Sequence, residues 1–66
     1  MRASEVVRLL LRDGWIDAGG KGSHRNFRHP GRPGKVTVPM HGSRDLSIGV
    51  IRSIEKQSGL TLIPKR

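Results

Sequence analysis

The chain has no cysteine, one tryptophan and one phenylalanine, and five carboxylates against thirteen lysines and arginines. Without cysteine there is no disulfide to staple a small core and no thiolate set for a structural zinc. Two aromatic rings are too few for a face that stacks successive bases. No apolar run approaches the roughly 18 residues of a membrane span. The stretch MRASEVVRLLLRDGW is broken by Arg8 and carries Glu5 and Asp13, so it is not expected to be a signal peptide. A cytoplasmic, soluble chain is expected. Sixty-six residues with 33% hydrophobic content give one domain, 1–66, with a thin core built from regular packing.

What the sequence has in abundance is positive charge. The formal net charge is +8, and nine of the thirteen cations are arginine. Arginine suits planar, two-pronged recognition of phosphate better than lysine does. A field of this size favours a polyanionic partner, nucleic acid first. It says nothing about catalysis.

Hydrophobic period supplies the elements. Residues 3–13 predict an amphipathic helix, with Ser4 as N-cap and Glu5 in its first turn. Ala3, Val6, Val7, Leu10 and Leu11 lie on one face, and Gly14 follows as the C′ residue. Trp15–Ala18 predicts a short strand, with Trp15 in the core rather than stacked on a base. Gly19–Gly22 predicts a flexible turn. His24–His29 predicts the next strand, with Phe27 opposite His24, Asn26 and Arg28. A Pro/Gly-dense turn spans 29–34, and Lys35–Pro39 predicts a third strand with Val36 and Val38 inward. Residues 40–46 are irregular. A second helix is expected from about Ser47 to Ser58, capped by Asp45 or Ser47, burying Val50, Ile51 and Ile54 and ending at Gly59. Leu60 and Leu62 should return to the core, with Lys65 and Arg66 in solvent.

The expected fold is α+β: α-β-β-β-α, a three-stranded antiparallel sheet with two helices on one face, the layout of a double-stranded-RNA-binding domain (dsRBD-like). The other sheet face stays open and holds His24, Asn26 and Arg28.

The segment Lys21-Gly22-Ser23-His24-Arg25 concentrates the chemistry. Gly22 lets a ligand approach the backbone. Lys21 and Arg25 take phosphate charge, and Ser23 donates a hydrogen bond. His24 is of the residue type that moves protons near neutral pH. The bland alternative is a basic turn carrying an idle histidine. His29, in phase with Phe27, is expected to be structural. His41 either assists from the sheet end or orders its loop. No carboxylate or cysteine accompanies the histidines locally, so no metal and no cofactor are expected.

The chain resembles the HicA-type mRNA interferases, the toxins of HicA–HicB toxin–antitoxin pairs. The matching pieces are Asp13-Gly14-Trp15 after the first helix, Lys21-Gly22-Ser23-His24-Arg25-Asn26-Phe27, and His29-Pro30. Val36-Thr37-Val38-Pro39-Met40-His41 follows, then the helix from Ile48-Gly49-Val50-Ile51-Arg52-Ser53-Ile54 to Ser58-Gly59-Leu60. They run in the family's order across nearly the whole chain. The resemblance implies the dsRBD-like fold, metal-independent endonucleolytic cleavage of mRNA with growth arrest, and a HicB-like antitoxin that blocks the site. It makes His24 the catalytic histidine. Met40 fills a variable slot. Arg32-Pro33-Gly34 looks like an insertion, with consequences for RNA contacts.

The competing reading is a non-catalytic RNA-binding module of dsRBD type. Such a binder is expected to carry a basic cluster at the start of its last helix. Here that start reads Ser47-Ile48-Gly49-Val50. A DNA-binding regulator is disfavoured because strands separate the helices and no helix-turn-helix can form.

Overall fold

Two helices enclose three strands in the order α1 (Ala3–Arg12), β1 (Ile16–Lys21), β2 (His24–His29), β3 (Arg32–Pro39) and α2 (Ile48–Ser58). The computed structural model describes residues 1–42 and 44–63. The sheet is an antiparallel meander with β2 in the centre. This is the α+β, dsRBD-like arrangement.

α1 starts earlier than a Ser4 cap would allow. Arg2 holds the N-cap position, and Glu5 Oε1 accepts its backbone N–H at 2.9 Å. Arg2 is itself anchored by bridging Asp45, next to a bond from the Leu46 N–H to the Met1 carbonyl at 2.8 Å. The chain before Ser4 is therefore already fixed, which leaves Ser4 inside the first turn. Ala3, Val6 and Leu10 form the buried seam. Leu11, expected inside, is 52% exposed. It lies about 100° round from Leu10, past the edge of a seam that Ala3, Val6 and Leu10 already fill. Val7, one turn before Leu11 on the same margin but nearer the seam, is half-buried.

The strands are longer than alternation alone suggested. β1 continues through Gly19 and Gly20 to Lys21, where a flexible turn was expected. β3 begins at Arg32 rather than Lys35, so the second turn shrinks to Pro30–Gly31. Both extensions rest on side chains reaching back to the main chain. Asp17 Oδ1 accepts the Gly19 N–H at 2.8 Å, and His29 Nδ1 accepts the Gly31 N–H at 2.9 Å.

α2 is capped by Ser47, whose Oγ accepts the Val50 N–H at 3.2 Å. At its other end Arg32 Nη1 donates to the Ser58 carbonyl at 2.7 Å. A cation there meets the carbonyls that a helix C-terminus leaves unsatisfied. The insertion-like Arg32 thus serves the fold. Gln57 Oε1 accepts the Thr37 N–H at 3.1 Å, which covers part of the outer edge of β3.

The core gathers Val6, Leu10, Trp15, Phe27, Val36, Val38, Leu46, Ile51, Ile54 and Leu62 into one cluster with Ala3. Each large apolar side chain removed from water contributes about 1.5–3 kcal/mol. Val50 is only partly buried, and the helix seam continues through Glu55 and Ser58 instead. Glu55 Oε2 accepts the Leu62 and Ile63 N–H groups at 2.7 and 3.0 Å. This buried carboxylate turns the chain back after Gly59 and brings Leu62 onto the core. Lys65 and Arg66 lie outside the described residues.

Candidate functional site

β2 sorts its side chains by alternation. Phe27 is 1% exposed and faces the helices, while His24 and Arg28 are exposed on the open side. Asn26, half-buried, shares that side.

The β1–β2 turn is the two residues Gly22-Ser23, closed by the pair Lys21 and His24. Gly22 has φ +60°, and among the described residues none other than glycine has positive φ. A positive φ at the first central position only is the type II′ pattern, whose twist suits a hairpin. Just before it, the register of β1 shifts between Asp17 and Gly20. Gly20 lies so close to β2 that a Cβ there would collide with the His24 carbonyl oxygen. The backbone beneath His24 is thus set by one glycine for the turn and one for close approach.

The third strand closes the site. His24 pairs with Pro39, and the Met40 N–H donates to the Ser23 carbonyl. This bond brings the Gly22-Ser23 turn and the Pro39-Met40-His41 segment to one end of the sheet. Met40 packs on the core margin, and His41 follows it, exposed.

Across the open face, cross-strand pairs put Lys21 beside His24, Thr37 beside Asn26, and Ile16 beside Arg28. Thr37 Oγ1 donates to Asn26 Oδ1 at 2.8 Å. Ile16 is 60% exposed. Lys35 precedes the inward Val36 and so lies on the same open side, next to Arg28.

Arg25 is placed differently. It alternates with His24, and its Nη2 contacts both carboxylate oxygens of Asp17 at 2.9 Å. Asp17 pairs with inward-facing Phe27, so this ion pair belongs to the helix side of the sheet, near its end. The Gly19 N–H, then the Arg25 guanidinium, hold the Asp17 carboxyl below its ordinary value of 3.8. The structure therefore groups Lys21, Gly22, Ser23, His24, Asn26 and Arg28, and sets Arg25 apart from them.

His29 is used by the fold. Its Nε2 lies 2.8 Å from the Asp13 carbonyl, its Nδ1 accepts from Gly31, and its ring meets Trp15 edge-on at 5.2 Å. Because Nδ1 accepts, Nε2 carries the proton. Trp15 in turn donates from Nε1 to Asp13 Oδ2 at 3.2 Å.

The family model described as the HicA toxin of bacterial toxin–antitoxin matches residues 3–60. The chain belongs to the HicA toxin family. A search of curated proteins returns no significant match. Family membership gives this chain the role of a toxin and implies a cognate antitoxin. Among the described residues no helix is long and apolar enough to cross a membrane.

Reading the motifs did not reveal two partners of the site: Thr37, which orients Asn26, and Asp17, which engages Arg25. The outward phase of Thr37 was visible in β3. The Asp17–Arg25 contact had no local signal, because the β1 bulge determines which residues meet.

Proposed function

We propose that this HicA-family toxin is an endoribonuclease that cuts mRNA without a metal and so arrests growth, with His24 as its catalytic base. The observation that carries this reading is the exposed His24 on the central strand, beside Lys21 and above a glycine-built turn, on a face without carboxylates. In the proposed reaction the neutral imidazole takes the proton of a ribose 2′-hydroxyl. The 2′-oxygen attacks the adjacent phosphorus, and the bond from phosphorus to the 5′-oxygen breaks. The products are a cyclic 2′,3′-phosphate and a 5′-hydroxyl, whose proton comes from an acid on the other side. His41, at the same end of the sheet, is the candidate for that acid. Lys21 offsets charge on the phosphoryl oxygens, Gly22 and Ser23 bring main chain and hydroxyl near the phosphate, and Asn26 and Arg28 hold the strand.

The same cationic face suits a HicB-like antitoxin of acidic character, which would block the site in the cytoplasm and associate faster at low salt. Arg25, engaged by Asp17, supports the hairpin under this reading.

The test compares wild type and His24→Ala on single-stranded RNA in the presence of EDTA, with circular dichroism confirming that both are folded. Loss of a general base costs about 10²–10⁴-fold in rate. DNA of the same sequence, lacking the 2′-hydroxyl, should bind and stay intact. A folded His24→Ala protein that cuts at the wild-type rate overturns the assignment. RNA that is bound but never cut by wild type leaves the non-catalytic binding module.

A further inference from the structure

The open face carries a second cationic position away from His24. None of the five carboxylates of the chain lies on this face. Glu5 caps α1, Asp13 holds Trp15, Asp17 faces the helix side with Arg25, Asp45 pairs with the Met1 amino group, and Glu55 is buried. Lys21, Arg28 and Lys35 remain, all exposed, and their side chains make no hydrogen bond or ion pair among the described residues. They fall in two groups. Lys21 stands beside His24 at the turn end. Arg28 and Lys35 flank the Phe27–Val36 pair toward the other end. Four residue steps along the strand separate His24 from Arg28, a span of about 13 Å. That is longer than one nucleotide step. Between the groups sits Asn26, whose carbonyl oxygen is occupied by the Thr37 hydroxyl, so its amide donors are left for a ligand.

We propose that the open face is a two-station track for single-stranded RNA running along β2. Lys21 and His24 hold one phosphate, Arg28 and Lys35 hold a second beyond the next nucleotide, and Asn26 meets the nucleotide between. The proposal rests on the reading of RNA as substrate and adds where the strand lies. Charge complementarity selects the occupant: a face with three cations and no anion fits a polyphosphate strand. A single strand fits better than a duplex for two reasons. The first turn of α2 holds no charged side chain, and Ile48 stands exposed there, so the helix lacks the phosphate contacts expected for duplex binding. In-line attack by a 2′-oxygen also needs a backbone free to leave the stacked A-form.

The experiment reads binding alone. A 2′-O-methyl RNA oligonucleotide, which lacks the attacking hydroxyl, is titrated by fluorescence anisotropy over a range of salt. The proteins are wild type, Arg28→Gln/Lys35→Gln, and Arg8→Gln/Arg52→Gln, the last removing the same charge from the helices. Each single-strand phosphate contact contributes a slope of about 0.7 in log K against log salt. The sheet pair, which holds one phosphate, should therefore lower the slope by about 0.7 and weaken binding roughly fivefold at 0.1 M salt relative to its effect at 1 M. The helix pair should change the slope by far less. Equal losses in both pairs would reduce the effect to net charge and overturn the track. So would an unchanged slope, tighter binding of a duplex of the same sequence, or loss of an acidic antitoxin with RNA affinity intact. Persistent cutting by His24→Ala would overturn the catalytic reading and leave this slope untouched.

Discussion

His24 and His29 bound the same strand, five positions apart and on opposite faces of the sheet. His29 has both ring nitrogens hydrogen-bonded and its ring against Trp15. His24 is exposed, with no side-chain partner among the described residues. The contrast extends to the faces themselves. On the helix side, polar groups serve the fold: Asp17 with Arg25, Asp13 with Trp15, Glu55 with the returning chain. On the open side, cations stand without anions. Residue type alone does not tell a working histidine from a structural one. The parity of its position on β2 does, because parity decides whether the fold or a ligand supplies its partner.

The sharpest way to break this comparison is to truncate neighbours across the parity line. Phe27→Ala should destabilise by about 3–5 kcal/mol, which on so small a core leaves the chain largely unfolded by circular dichroism and urea denaturation. Arg28→Ala, one residue on, should stay within about 0.5 kcal/mol. Similar losses at both positions would mean that the two faces are not distinct.

Glu55→Ala comes next. It strands the Leu62 and Ile63 N–H groups, at about 1–3 kcal/mol. Hydrogen exchange at these two amides should accelerate more than exchange in β2.

The histidines themselves form the third test. His29→Ala removes an aromatic contact and two hydrogen bonds and should cost about 1–2 kcal/mol, while RNA cutting per folded molecule is retained. His24→Ala should reverse the pattern, with stability within about 0.5 kcal/mol and activity lost. Matching thermal midpoints for the two variants would erase the distinction.

The smallest effect belongs to Asp17. Its folded pKa is lowered below 3.8 by the Gly19 N–H and Arg25. A depressed carboxyl stabilises above its unfolded pKa and loses that contribution as pH falls through the folded value. The melting difference between wild type and Asp17→Asn should therefore be full at neutral pH and shrink as pH falls below 3.8 and through the lowered folded value. Its size is modest because the pair is exposed. A difference that does not shrink at all on acidification would assign Asp17 a role other than its charge.

Much of this molecule was legible before any coordinates. The 3.6 period placed α1 and α2, and the period of two on β2 separated Phe27 from His24, Asn26 and Arg28. Those patterns are local, so a short window of residues carries them. The specific string around Gly22-Ser23-His24, with Val38-Pro39-Met40-His41 and the second helix, pointed to the family that the match over residues 3–60 then established.

Less legible were the features that depend on pairing at a distance. The bulge between Asp17 and Gly20 carries β1 on to Lys21 and thereby sets Lys21 beside His24. Arg25 sits in the chemical motif by sequence and on Asp17 in space.

The sequence by itself determined the order of the elements, the inward and outward phase of β2, the glycine that permits the Gly22-Ser23 turn, and the large excess of cations. Each follows from side-chain period, backbone sterics or a count. Only the tertiary structure decided that the carboxylates all leave the open face, that Glu55 is buried, that Leu11 is exposed, and that Met40 ties the third strand to the Ser23 carbonyl. These outcomes depend on how strands pair and helices dock, and the energies that select among pairings come from contacts between residues far apart in the chain.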